Sequence, residues 1–489
     1  MYNFQKRLIM KSYTLKIILT LLIFGFSACE KPLEEEIFSE LEPSTLFSSE
    51  EGVNVVLNSA YAYAHRSGLV GSWSPFYLGG MPAGEIWGAG GSIENLWVSL
   101  IDFTWDANHA QILTMWTVYY NAIRDANIVL DNLENEALSE EFRALKEAEV
   151  HFIRGWCYAE LYNLFGPVPL YTSSTDAPLQ PNGSEGEIRT FIEQELMAAV
   201  NSPSLAVLPQ AFGMASKGAA MGILTKHYMN TRQWQKAADL AQDIIELNEF
   251  GLVSSSYADV FSISNEGNQE LLWALPKHGA SGAASMAVNA LMFPPNYPLP
   301  YPNNSVFAAR TYLYDEFVNS FEVTDERRNM IDTAYVTTAG ELVQGLGNDQ
   351  SFPFKFEFDP NSVGASAGND IPVVRYADIL LSRAEALNEV SGPSQEAIDL
   401  MNQVRDRAGV APLTLAGFSQ ESLRDAILEE RAKEFFFEGK RREDLLRHDR
   451  FISNAVARGK NAQPHHVLYP IPQVELDANE LLEQNSPNY

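Results

Sequence analysis

Two segments constrain this chain more than any others: "GILTKHYMNTRQWQKAADLAQDIIELN" and "YADILLSRAEALNEVSGPSQEAIDLMNQVRDRAG". In the first, Leu224, Tyr228, Trp234, Ala237 and Ala241 recur at the spacing of two helices joined by a tight turn. In the second, Leu380, Ala384 and Leu387 line one helix, and Ala397, Leu400, Met401 and Val404 line the next. Ser394 follows Pro393 as an N-cap, and Gly409 closes the end. Small residues let the second helix cross closely over the first, while aromatic side chains fill the groove between them. The two units lie about a third of the chain apart, so the pattern is a helical scaffold with large insertions rather than a tandem array.

The spacing within each unit resembles a tetratricopeptide helix hairpin. Further helices follow from "EEGVNVVLNSAYAYAHR", from "MWTVYYNAIRDANIVLDNL", and from "EEFRALKEAEVHFIRGWCYAELYNLFGPVPL". In the last of these Gly166 stands at a helix C-terminus, and Pro167 and Pro169 forbid continuation. Two stretches lack this period. Residues 66–106 carry four of the eight tryptophans among many glycines, and residues 254–370 include "ALMFPPNYPLPYPNNSVF". Irregular segments of that length in a folded body are functional or carry short strands, and binding residues are sought there. The expected fold class is mostly α: tetratricopeptide-like helix hairpins with long irregular insertions and a few short strands.

The N-terminus sets the compartment. Lys6, Arg7, Lys11 and Lys16 form a basic front, and the apolar run Ile17 to Ala28 is shorter than the ~20 residues a membrane span requires. Basic front, short apolar middle and small residues at the end is the order of a secretory signal. Either Met1 or Met10 is the true start, since Lys11 and Lys16 alone still supply a basic front. Ser27-Ala28-Cys29 resembles a bacterial lipobox, with Phe26 where leucine is usual. The expected organisation is therefore a signal peptide over 1–28, a lipidated Cys29 with tether over 29–45, and a body over 46–489. That body divides into an N-terminal part (46–250), a variable insertion (254–370) and a C-terminal part (371–489). More than one acyl chain on Cys29 gives a stable anchor.

Charge and cysteine use narrow the function. Removing four basic and no acidic residues with the leader lowers the formal charge from −29 to −33. A surface this acidic opposes nucleic acid and anionic lipid. Cys157 is the second of two cysteines and lies in an apolar helix pattern, so it reads as a buried, inert thiol.

Motifs for chemistry are sparse. HExxH and Walker-type loops do not occur, and "GAGGSI" lacks dinucleotide-site spacing. His465 and His466 are adjacent rather than helically spaced, which disfavours zinc. "DPNSVGASAGND" misses the EF-hand ligand positions. Glu430 and Glu434 sit one turn apart in "EERAKEFFFEGKRREDLLRHDR", yet with Arg431, Lys440, Arg441 and Arg442 nearby they read as a solvated or salt-bridged helix face. No catalytic residue, metal or cofactor is therefore assigned. The aromatic loops carry more. Flat indole and phenol rings cover the apolar C–H faces of sugars, and each such platform contributes roughly 1–2 kcal/mol. The ligand-contact candidates are Trp73, Trp87, Trp97, Tyr297 and Tyr301, with Asn95 and Glu85 as polar companions. Trp105, Trp116, Trp156 and Trp234 fall in helix patterns or entries and read as packing residues.

At this point the residues match a known pattern. "DIPVVRYADILLSRAEALNEV", "AIDLMNQVRDRAGV", "ILEERAKEFFFEGKRREDLLRH" and the terminal "LYPIPQVELDANELLEQNSPNY" resemble the RagB/SusD family of Bacteroidota nutrient-uptake lipoproteins. "YYNAIRDANIVLDNL", "EAEVHFIRGWCYAELYNLFGPVPL" and "ASKGAAMGILTKHYMN" agree in order. The resemblance implies a helical, non-catalytic lipoprotein anchored in the outer membrane and facing the cell exterior. It implies capture of oligosaccharide, or in some members peptide, and delivery to a SusC-like TonB-dependent transporter. A glycan-active hydrolase is the remaining alternative. The family often places an aromatic platform in the first insertion, where Trp87 and Trp97 lie.

Overall fold

Helices dominate because most of the chain repeats apolar residues every three or four positions, and each such face needs a partner. The computed structural model describes residues 46–66, 69–280 and 285–489. The leader, Cys29 and the tether lie outside them. Within the body Phe47–Tyr489, fifteen α-helices and six short strands are described, as the periodicity predicts.

The scaffold is a run of helices in side-by-side contact. α1 (Glu50–Ala64) packs on α4 (Ala110–Asp131), α4 on α5 (Glu140–Phe165), α5 on α6 (Glu185–Asn201), and α6 on α7 (Lys217–Asn230). Their starts are fixed locally. Ser139 accepts from Phe142 N, Ser184 and Glu187 form a reciprocal capping box, and Ser216 accepts from Ala219 N. α5 ends at Gly166, whose φ of +74° favours glycine and whose added Cβ would lie 2.8 Å from Leu468.

The first hairpin, α7 and α8 (Trp234–Glu246), then meets the second, α10 (Tyr376–Ser391) and α11 (Gln395–Arg407), through direct α8–α10 packing. Leu380 and Ala384 face Ala397, Leu400, Met401 and Val404 in a buried cluster that also takes Leu423 and Ile427 from α12 (Gln420–Glu434). Ser394 caps α11 by accepting from Ala397 N. The hairpins that the sequence separates are thus spatial neighbours. Strand β2 (Leu271–Leu275), after α8, pairs antiparallel with β6 (Ile371–Arg375), before α10, with Leu275 opposite Ile371. The chain between them leaves and re-enters the scaffold through one two-stranded gate.

Residues 66–106 are less irregular than their glycine content suggests. They form α2 (Leu69–Gly80), which holds Pro75, then β1 (Ile86–Ala89) and α3 (Glu94–Asp102). Gly79 is required for packing rather than for a turn: a Cβ there would fall 2.0 Å from the Gly439 carbonyl oxygen. The glycine lets α2 pack against the turn that leads into α13 (Arg441–Arg447).

The charged segment "EERAKEFFFEG" departs from one half of its sequence reading. It is salt-bridged but not solvated. Glu434 is fully buried and meets Arg327 Nη1 at 3.3 Å, Arg375 Nη1 at 3.0 Å and Arg407 Nη2 at 2.5 Å. Arg327 also pairs with Glu430 (2.7 Å) and Asp325 (2.8 Å), and Arg375 with Glu270 and Glu438. Lys355 Nζ donates to the carbonyls of Glu434 and Phe436 and to Glu438 (2.6 Å). Burial draws Lys355 down to about 8, against the pull of Glu438. Arg327 and Lys355 belong to the long insertion, while Glu430 and Glu434 belong to α12. The network therefore ties the insertion to the hairpins with ions that no water reaches.

Candidate functional site

The two insertions meet on one ribbon. β1 pairs antiparallel with β3 (Arg310–Leu313), placing Trp87 opposite Tyr312. Their rings lie 4.7 Å apart with a 34° tilt, and Trp87 Nε1 donates to the Asp349 carbonyl at 2.7 Å. From Tyr312 a chain of ring contacts runs through Phe352 (5.3 Å) to Tyr335 (5.8 Å), with Tyr335 and Tyr297 5.1 Å apart. Phe293 backs Tyr297 at 4.2 Å. Tyr312, Phe352 and Phe293 are buried and form a floor, while Trp87, Tyr297, Tyr335 and Phe354 are half-buried and keep part of each ring open.

Hydrogen bonds fix the exposed rings. Tyr297 OH donates to Asp332 Oδ2 at 2.7 Å, and Tyr335 OH donates to Asn296 Oδ1 at 3.1 Å. Burial together with the Asp332 carboxylate pushes the Tyr297 phenol well above its ordinary value, so it remains a neutral platform. The exposed amides of Asn296, Asn348 and Gln350 stand in the same loops. Rigid rings beside amides suit a flat ligand with polar edges, because little side-chain entropy is lost on contact.

The sequence candidates divide. Trp87 and Tyr297 enter this connected set. Tyr301 is 38% exposed and Asn95 is exposed on α3, and neither has a ring contact with the cluster among the described residues. Trp73 and Trp97 are corrections. Trp73 is 4% exposed and edge-on to Tyr77, and Trp97 is wholly buried and stacked on Tyr77 at 4.8 Å. Their glycine-rich surroundings suggested loops, but α2 and α3 fold them inward. Trp97 instead supports the back of β1: a Cβ on Gly88 would fall 2.4 Å from its ring. Trp105, Trp116 and Trp156 are core, and Trp234 stacks at 6° on His448. His466 Nδ1 accepts from Gln463 N, a turn-closing role. Cys157 is buried, and burial raises its thiol far above the ordinary range.

Sequence reasoning missed Tyr312, Tyr335, Phe352 and Phe354. One signal was present: "FPFKFEF" places phenylalanine at 352, 354, 356 and 358, the period of an extended segment.

Glu85, a polar candidate, is 5% exposed and sits one residue before β1. Burial lifts its carboxyl to about 8 despite the charge of Arg441. The folded state thus keeps a proton that the unfolded chain has released. Stability from this group is full below about pH 4.5 and is lost as pH rises towards 8. Glu85→Gln is expected to remove that slope and gain about 1–3 kcal/mol at pH 8. Urea unfolding of both proteins at pH 5 and pH 8 checks this, since the difference between them cancels the other titrating groups.

The class so defined is a helix-hairpin scaffold that presents a fixed aromatic face built from two insertions. Residues 354–489 match the profile described as "SusD family", and residues 33–229 match "Starch-binding associating with outer membrane". The chain is 29% identical to SusD-like protein P25 of Formosa agariphila over 96% of this chain and 98% of that one. It is 23% identical to the starch-binding protein SusD of Bacteroides thetaiotaomicron over 74% and 76%. In structure it matches a SusD homolog of B. thetaiotaomicron with a TM-score of 0.78, at 23% identity over 92% of this chain and 99% of that one. It also matches that organism's surface glycan-binding protein A in complex with laminarihexaose, with a TM-score of 0.76 at 20% identity over 90% and 99%. The chain belongs to the SusD-like family of Bacteroidota.

Proposed function

We propose that this protein is a cell-surface glycan-binding lipoprotein that captures oligosaccharide and hands it to a SusC-like TonB-dependent transporter. The observation that carries the reading is the aromatic face running from Trp87 through Tyr312 and Phe352 to Tyr297, which both insertions build. Glycan-binding relatives, and a family description that includes outer-membrane association, support it. In this reading Cys29 carries the lipid, and the helical scaffold rests against the transporter.

The placement of Glu430 and Glu434 supports binding without cleavage. Glu430 and Glu434 are both engaged by guanidiniums in the interior, and those cations outweigh the opposing effect of burial to hold Glu434 at about 2. Neither is available as a general acid or nucleophile to a ligand on the surface. Two or three ring platforms with hydrogen bonds give millimolar to micromolar affinity, on the order of 4–8 kcal/mol. Tethering beside the transporter compensates by raising effective concentration.

Affinity electrophoresis of the chain from residue 30 onward through gels of candidate polysaccharides tests the reading. Retardation by at least one polysaccharide without release of sugar products is expected. Retention by none of them, or product formation, refutes it; binding of a peptide library in their place favours the peptide-capturing branch.

A further inference from the structure

A second cleft of about 810 Å³ opens at the end of the aromatic ribbon. Glu85 just precedes β1 and Tyr314 just follows β3, each two residues from Trp87 or Tyr312 and about 7 Å along the ribbon. Both line this cleft, as does Asp349, whose carbonyl holds the Trp87 indole. Its opposite wall is α12, α13 and α14 (Phe451–Ala457).

The cleft's charges are unevenly spent. Asp425 pairs with Arg450, Glu429 with Lys433 and Lys460 with Asp102. Arg441 and Arg458 have no carboxylate within ion-pair distance among the described residues. Arg441 Nη1 donates to the Leu428 carbonyl. Arg458 uses Nη2 on the Pro82 carbonyl (2.6 Å) and Nε on Asn454 (3.0 Å), and its buried Nη1 has no hydrogen-bond partner among the described residues. Gly84, with φ of +77°, makes room for that guanidinium: a Cβ would fall 2.4 Å from Arg458 Cζ. The buried Oε2 of Glu85 is likewise unpartnered. Protonated, Glu85 adds no negative charge to the wall. Glu316 at the mouth is exposed to water.

We infer that this cleft is an oxyanion subsite that receives a carboxylate or sulfate-ester substituent of a glycan whose neutral rings lie on the Trp87–Tyr297 face. Guanidiniums donate in a fork that matches the oxygens of either group, and Arg441 and Arg458 line the cleft with no carboxylate at ion-pair distance among the described residues. The selectivity is local, because the molecule as a whole is strongly acidic. The inference rests on the glycan-binding reading, so its test separates the two.

Calorimetry of the full chain from residue 30 uses two matched pairs: a tetraglucuronide with its carboxyl-reduced counterpart, and a sulfated oligosaccharide with its desulfated parent. In at least one pair the charged member is expected to bind tenfold or more tighter, and the responsive pair tells carboxylate from sulfate. Arg458→Gln is expected to bring that ratio near one while the neutral member binds as before. Ala457→Glu, an exposed change at the cleft wall, is expected to do the same and covers the case in which Arg458→Gln fails to fold. Equal affinity within both pairs, or a ratio that survives both substitutions, overturns the oxyanion subsite alone. No binding of any member, in a protein that also passes unretarded through every polysaccharide gel, overturns both readings.

Discussion

Changing Trp87 and Tyr297 together to alanine should abolish retention in whichever polysaccharide gel slows the native protein. Each open ring offers about a third of its area to a sugar, roughly 1–2 kcal/mol. Each single change should therefore weaken binding about 5- to 30-fold, and the double change about 25- to 900-fold. The fold should survive. Both rings are half-buried, and their neighbours Tyr312 and Phe293 stay packed on Phe352. Thermal melts that shift by only a few degrees, beside lost retention, would establish the face as the binding surface. Unchanged retention would remove it. Trp97→Ala provides the contrast: Trp97 is wholly buried, so its loss should cost about 3–5 kcal/mol of stability and act on binding only through β1.

Loss of Glu434 should be among the most damaging single changes. Glu434→Ala leaves Arg327, Arg375 and Arg407 facing one fewer anion in a space closed to water, which typically costs 3–5 kcal/mol. Folded proteins of this kind hold only ~5–15 kcal/mol in total. A large fall in the urea midpoint is expected. Asp449→Ala, which breaks the exposed Arg232–Asp449 pair, should shift it by under ~1 kcal/mol. The pH dependence has a fixed sign. Burial opposes the Glu434 charge, yet Arg407, Arg375 and Arg327 hold the carboxyl at about 2, below its ordinary 4.5. Its stabilisation is therefore present above about pH 4.5 and lost as pH falls towards 2. Equal stability of Glu434→Ala and the native protein at neutral pH would show that the network is not what binds the insertion to the hairpins.

The hairpins were legible because a helix's apolar period is local. Leu380 with Ala384, and Ala397 with Met401, each announce a helix face within a few residues, and Ser394 and Gly409 mark the ends. Trp87 and Tyr297 were legible only as aromatics in glycine- and proline-rich surroundings. The same surroundings pointed to Trp73 and Trp97, which the structure buries. Flanking composition tells whether a segment tends to be irregular, but it does not tell which side of it meets the core. Pro75 and the many glycines hid α2, because the close approach of Gly79 to Gly439 depends on a segment some 360 residues away.

By itself the sequence determined the mostly helical class, the two hairpins, and the location of aromatics in two insertions. All of these follow from spacings within a few turns of chain. Only the tertiary structure decided that the hairpins touch, that Trp87 and Tyr297 share a face through Tyr312 and Phe352, and that Glu430 and Glu434 of α12 lie inside. Those outcomes depend on which distant segments pair, β1 with β3 and β2 with β6. A strand four or five residues long carries too little pattern to name its partner, so the choice falls to burial and charge pairing summed over the whole fold.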